Sequence, residues 1–185
     1  MTTSSPSVTC LGEDLGMGSN KLFGAHGGLS LQSQVASETG QTVSELYGFR
    51  HNKPPINVRL ENMKFFVGAR AHDWGRPIEN LDYDRLTGVP ETRAIIYGSL
   101  SRYIEQHGPF ESQVQMLVGL PLEPLSGQDA QANADAVRQW LRGEHAWEAD
   151  GKPYRLTISD VRITSQPTGA LFEYILDDNG LFIPE

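Results

Sequence analysis

The chain has 185 residues, 38% of them hydrophobic, with a formal net charge of −8 and one cysteine. That length suits one domain with a sizeable core. The acidic balance, with no run of Lys and Arg, excludes the electrostatic footprint of a nucleic-acid binder, and the lone Cys10 cannot form an internal disulfide.

The N-terminal Met-Thr-Thr-Ser-Ser-Pro-Ser is polar and lacks the basic-then-apolar order of a signal peptide. No apolar run approaches the roughly 20 residues that span a bilayer. A buried structural thiol at Cys10 fits a reducing compartment. The expectation is a cytoplasmic protein without a membrane partner.

Val8–Leu15 reads as a strand entering a core, and Lys21–Gly27 as the returning strand. Between them lies Asp14-Leu-Gly-Met-Gly-Ser-Asn-Lys21, a carboxylate at a strand end, two glycines and a lysine. Glycines at 16 and 18 let backbone N–H groups approach an anion without a Cβ in the way. Lys21 adds positive charge, and Asp14 can hold the hydration shell of Mg²⁺. This is a strand–turn–strand phosphate loop; the pattern G-x-x-x-x-G-K-[ST] is absent. A plain β-hairpin, with Asp14 capping the turn, is the alternative reading.

Leu29–Val35 alternates apolar and polar, completing a three-stranded meander. Residues 38–55 are polar, carry Pro54-Pro55 and read as an exposed excursion within an insertion at about 38–62. Ile56–Leu60 and Lys64–Ala69 read as a hairpin, and residues 70–90 as irregular. Ile96, Leu100, Tyr103 and Ile104 place a helix over about 91–107, stopped by Gly108-Pro109. Val114–Leu120 is a near-continuous apolar run, as expected of a strand covered on both faces. Ser126 with Asp129 resembles a capping box ahead of a helix striped by Ala130, Ala134, Val137 and Leu141. Asp150-Gly151 marks a hairpin between strands at 145–149 and 154–159. A strand over 160–165 ends at Pro167, and Thr168 can cap a last helix bearing Leu171, Phe172, Ile175 and Leu176.

A meander followed by β–α crossovers makes a mixed sheet with helices on both faces. That is the order of the ribonuclease-H-like α/β fold. The strand before Asp14 is expected near the sheet's centre, with Val8, Cys10 and Leu11 buried.

Four stretches in this order resemble the actin superfamily, and in particular the ParM-type plasmid-segregating actin-like proteins of bacteria and archaea. They are Asp14–Lys21, similar to a first phosphate loop D-x-G-x-[GT]-x-x-K; Phe66-Val-Gly ahead of the 91–107 helix; Leu117-Val-Gly-Leu-Pro-Leu-Glu-Pro124; and Val161–Ala170, with Ser165 where proline is common. The resemblance covers nearly the whole chain as one domain, 1–185, the first half of the actin fold. It implies a filament-forming ATPase of plasmid or cytoskeletal organisation, with self and an adaptor linking to DNA as partners. It implies ATP or GTP with Mg²⁺ as ligands. Asp14 would hold Mg²⁺ through water; Gly16, Met17, Gly18, Ser19 and Asn20 would meet the β- and γ-phosphates; Lys21 would neutralise them; Gln166 would position the attacking water, so that Asp14 and Gln166 are the catalytic pair. The family's second phosphate loop and adenine pocket are not found in these 185 residues, so the chain by itself is expected to be inactive. A nuclease using Asp14 and Glu123, a sugar kinase or chaperone ATPase, and a non-catalytic interaction domain are the alternatives on the same fold.

Overall fold

The structure is a computed structural model and describes residues 8–38, 54–78, 86, 88–177 and 181–183. Its frame is a ten-stranded mixed sheet in the order β3-β2-β1-β8-β10-β9-β5-β6-β4-β7. The strands are β1 (Thr9–Leu15), β2 (Ser19–Gly24), β3 (Gly27–Gln32), β4 (Val35–Ser37), β5 (Ile56–Leu60), β6 (Met63–Val67), β7 (Arg76–Pro77), β8 (Val114–Leu120), β9 (Gly143–Ala149) and β10 (Lys152–Ser165). The helices are α1 (Pro90–His107), α2 (Ala130–Leu141) and α3 (Gln166–Ile175). β1, β2 and β3 form the antiparallel meander, and β1, β8 and β10 run parallel. The α/β mixed-sheet class expected from the element order is the one observed.

α1 organises the core. Pro90 opens it at a position where a missing N–H costs nothing. Gly108, at φ 94°, closes it with its N–H on the Ile104 carbonyl. Only one side of an ordinary amphipathic helix is buried, but here Ala94 to Ser101 are buried without a break. The reason is packing at both ends of the sheet. A Cβ on Gly24 of β2 would fall 2.4 Å from the Tyr103 hydroxyl, and one on Gly98 would meet Val67 and Val58 of β6 and β5. α2 joins the same core through Val137 and Leu141.

A second prop joins α1 to the long β9–β10 hairpin. Trp147 stacks between Tyr97 and Tyr154, with centroids 4.7 and 5.5 Å away. His145 donates from Nε2 to the Leu141 carbonyl (2.6 Å), which leaves Nδ1 to accept from the Tyr97 hydroxyl (2.8 Å). Burial holds the His145 imidazole below its ordinary pKa, in keeping with that neutral tautomer.

Several expectations need correction. Cys10 and Val8 are exposed, although Leu11 is 1% exposed and β1 is interior to the sheet. Strand alternation sends Leu11, Glu13 and Leu15 to the α1 face and leaves Val8, Cys10 and Asp14 on the other. For the same reason β8 is covered on one face only at Leu117, which is 47% exposed. The stretch 56–62 is not part of an exposed insertion: Ile56, Val58 and Leu60 are buried in β5; residues 39–53 lie outside the described residues. The Ser126–Asp129 capping box does not form, because Ser126 Oγ bonds the Leu122 carbonyl and Asp129 makes no side-chain cap. The strands expected at 154–159 and 160–165 are one strand, β10, carrying a bulge between Ile158 and Asp160. Ser165, not Thr168, sits at the start of α3, accepting from the Thr168 N–H at 3.4 Å. Leu171 of α3 is exposed. Among the described residues no helix is long and apolar enough to cross a membrane.

Candidate phosphate site at the carboxyl ends of the parallel strands

β1 and β2 pair through Leu15↔Asn20, so Gly16 to Ser19 form the turn. Gly16 is demanded by the turn itself: a Cβ there would lie 2.6 Å from the Ser19 carbonyl oxygen. Gly18 is not, since nothing lies within 4 Å of its Cβ position. Its backbone is open to whatever approaches from outside. Ser33, just beyond β3, ties back the carbonyls of both glycines, its Oγ donating to Gly16 (2.6 Å) and its N–H to Gly18 (3.1 Å). With those acceptors engaged, less negative charge faces an incoming anion. Met17 projects into solvent and Ser19 is half-buried.

Asp14 lies opposite Lys21 across the hairpin. Lys21 Nζ donates to Asp14 Oδ2 at 3.0 Å, while Asp14 Oδ1 is buried without a hydrogen-bond partner. Next to them, Asp14 pairs with Gly119 of β8, and Gly119 with Thr164 of β10. Gln166 follows β10, its Nε2 donating to the Leu15 carbonyl over a long 3.4 Å. A Cβ on Gly119 would sit 3.5 Å from Gln166 Cγ. Asp14, the turn, Lys21, Gly119 and Gln166 thus gather at the carboxyl ends of three adjacent parallel strands, where open α/β sheets take their ligands.

Asn20 is placed differently from the rest of the turn. It belongs to β2, is 0% exposed, and its side chain turns to the α1 face. Its Nδ2 donates to Glu13 Oε1 (3.0 Å) and to Ser99 Oγ of α1 (2.9 Å). The side chain supports the hairpin from beneath. Glu13 Oε2 and Asn20 Oδ1 are left as buried atoms without partners. Burial pushes the Glu13 carboxyl up to about 7, against the Asn20 bond that lowers it, and Asp14 adds to the rise. A protonated carboxyl has the donor that this pair otherwise lacks.

Sequence reasoning missed Ser33, Glu13, Ser99 and the place of Gly119 against Gln166. Only the alternation of β1 carried a signal for Glu13, by setting it on the inward phase with Leu11 and Leu15. No three His, Cys, Asp or Glu side chains gather as a metal cluster among the described residues. One carboxylate with a buried, unpartnered oxygen, beside a turn whose Gly18 backbone is open, has the chemistry to take a Mg²⁺ ion that keeps most of its waters.

Comparison with solved structures gives the same arrangement of chain. Apo pSK41 ParM is 20% identical with a TM-score of 0.72, covering 92% of this chain and 53% of that one. AlfA from the B. subtilis plasmid pLS32, solved as a filament, is 15% identical with a TM-score of 0.66, covering 92% and 60%. Ta0583, an archaeal actin homologue solved with ADP, is 17% identical with a TM-score of 0.63, covering 90% and 46%. The chain therefore spans about half the length of these solved proteins. A search of curated protein sequences finds no significant match. The family model for the N-terminal domain of actin-like proteins matches residues 12–169. From the β1–β2 hairpin to the start of α3, this chain belongs to the actin-like proteins and carries their N-terminal domain.

Proposed function

We propose that this domain is the nucleotide-binding half of an actin-like, filament-forming ATPase of plasmid segregation or cytoskeletal organisation. The observation that carries the reading is the gathering of Asp14, the Gly16–Ser19 turn, Lys21 and Gln166 at one end of β1, β8 and β10. The AlfA filament with AMPPNP and Ta0583 with ADP support nucleotide as the ligand class. The filament structures of AlfA and Alp12 support self-association.

In this reading Mg²⁺-ATP or Mg²⁺-GTP supplies the phosphoryl group, and the chain's residues position it. Asp14 holds the metal's water shell with the Oδ1 that has no partner. The backbone of the turn from Gly16 through Met17, Gly18 and Ser19 to Asn20 meets the β- and γ-phosphates. Lys21 offers its charge to them, leaving an exposed pair with Asp14 that contributes little by itself. The long bond of Gln166 Nε2 to Leu15 is weak enough for the amide to turn toward an attacking water. Such positioning, with charge stabilisation, is most of what phosphoryl transfer asks of a protein. The partners are other protomers and an adaptor on DNA, in the cytoplasm.

The test is sedimentation and electron microscopy of the whole-length protein with and without Mg²⁺-ATP. Nucleotide-dependent pelleting that disappears in Asp14→Ala is expected. Pelleting indifferent to both nucleotide and Asp14 would overturn the reading.

A further inference from the structure

The two edges of the sheet are built differently. At one, β7 is two residues long and includes Pro77, both devices that blunt an edge. At the other, β3 runs six residues, Gly27-Gly-Leu-Ser-Leu-Gln32, with no charge and no proline. An edge of this kind is a template for another strand.

Its unpaired groups can be assigned. Ser33 donates its N–H to the Gly18 carbonyl, so Gly18 and Ser33 are a hydrogen-bonded pair of the β2–β3 ladder. Antiparallel pairs alternate between bonded and non-bonded. With the register Ser19↔Gln32 to Gly24↔Gly27, Leu31, Leu29 and Gly27 bond to β2. Gly28, Ser30 and Gln32 therefore point their N–H and C=O groups away from β2. All three residues are exposed, and among the described residues none is recorded with a hydrogen bond on that side. Leu29 and Leu31 lie half-buried on the α1 face, packed at the margin of the core.

We propose that β3 is a dimerisation edge, where two copies of this chain pair their β3 strands antiparallel about a two-fold axis through Ser30. The strand is self-complementary in that register. Ser30 faces Ser30 of the second copy and Gly28 faces Gln32, all as bonded pairs, so every outward N–H and C=O of the three residues finds a partner. Leu29 comes opposite Leu31 in the close, non-bonded positions, apolar against apolar on the α1 face. No like charges oppose each other, because the strand has none. A shift of one residue would set bonding groups against non-bonding ones and the leucines against the solvent face. The contact is isologous and closes at two copies. It uses neither the nucleotide site nor the 38–62 segment, and so stands apart from the filament reading.

The test is sedimentation equilibrium of the 185-residue chain with three variants, each checked for native circular dichroism. Ser30→Pro removes an outward N–H that β2 does not use, and should raise the dimer dissociation constant about tenfold or more. Ser30→Asp and Ser30→Lys each place like charges face to face and should each be monomeric, whereas an equimolar mixture of the two should recover dimers. Amide exchange at Gly28, Ser30 and Gln32 should slow as concentration rises. A wild-type chain that stays monomeric to about 1 mM would overturn the proposal. So would dimers that survive all three Ser30 variants but are lost in Phe23→Ser, which would place the contact on the open sheet face.

Discussion

Single residues divide the site into a part that meets solvent and a part that holds it up. Asp14 and Gln166 are on the solvent side and should separate in kinetics. In the whole-length protein Asp14→Ala is expected to weaken Mg²⁺-nucleotide binding. Gln166→Ala should keep affinity and slow turnover about a hundredfold, the scale of a misplaced reactant, since a water-positioning group acts mainly in the transition state. Calorimetric titration with phosphate release checks both; lost affinity at unchanged turnover for Gln166→Ala would remove its assigned role. Glu13 is on the supporting side. Its carboxyl, ordinarily near 4.5, is pushed up to about 7 in the fold. Between those values the folded state binds the extra proton, so stability is fully present at the acid end and falls as pH rises toward about 7. The effect is on the order of 3 kcal/mol. Urea unfolding from pH 5 to 8 should show this slope in wild type and its loss in Glu13→Gln, whose amide supplies the missing donor without titrating.

Elements are placed by local rules that tertiary contact then edits. The Asp150-Gly151 turn forms as its sequence demands, with both residues at positive φ, 49° and 77°. The Ser126–Asp129 box does not, because Ser126 is taken by Leu122 in the preceding turn. β5 shows where a polar stretch ends: Ile56, Val58 and Leu60 alternate into the core, so a cut reaching them would unfold the domain. A deletion confined to residues 39–53 spares β4 and β5. The resemblance to actin-like proteins implies that the polar segment within 38–62 makes a longitudinal filament contact, so the same deletion in the whole-length protein should abolish pelleting. Unchanged assembly would make it a surface loop of the ordinary kind.

At the scale of the whole molecule, the candidate site is open to solvent at Asp14 and Lys21. The chain spans 46–60% of the solved proteins compared above. Asp14 and Lys21 are partly exposed, and contacts made in high dielectric each contribute little. The 185-residue chain is therefore expected to bind Mg²⁺-ATP weakly or undetectably by calorimetry and to release no phosphate at steady state. Micromolar binding with turnover would show that this half-site suffices.

The periodicities of 2 and 3.6, the Asp150-Gly151 turn and the Asp14–Lys21 pattern are local properties, and the sequence by itself determined the mixed-sheet class and the position of the β1–β2 hairpin from them. It could not say which face of β1 would be covered. Cys10 and Leu11 are neighbours that both read as core residues, and only the packing of α1 on the odd-numbered face buries one and exposes the other. Nor could it choose between loop and core for Asn20, because Ser99, which draws its side chain inward, lies 79 residues away. The meeting of Gln166 with Leu15 across 151 residues is likewise a product of the parallel β1–β8–β10 register. Local preference sets what each segment becomes, while the side of each segment that meets solvent depends on partners distant in the chain.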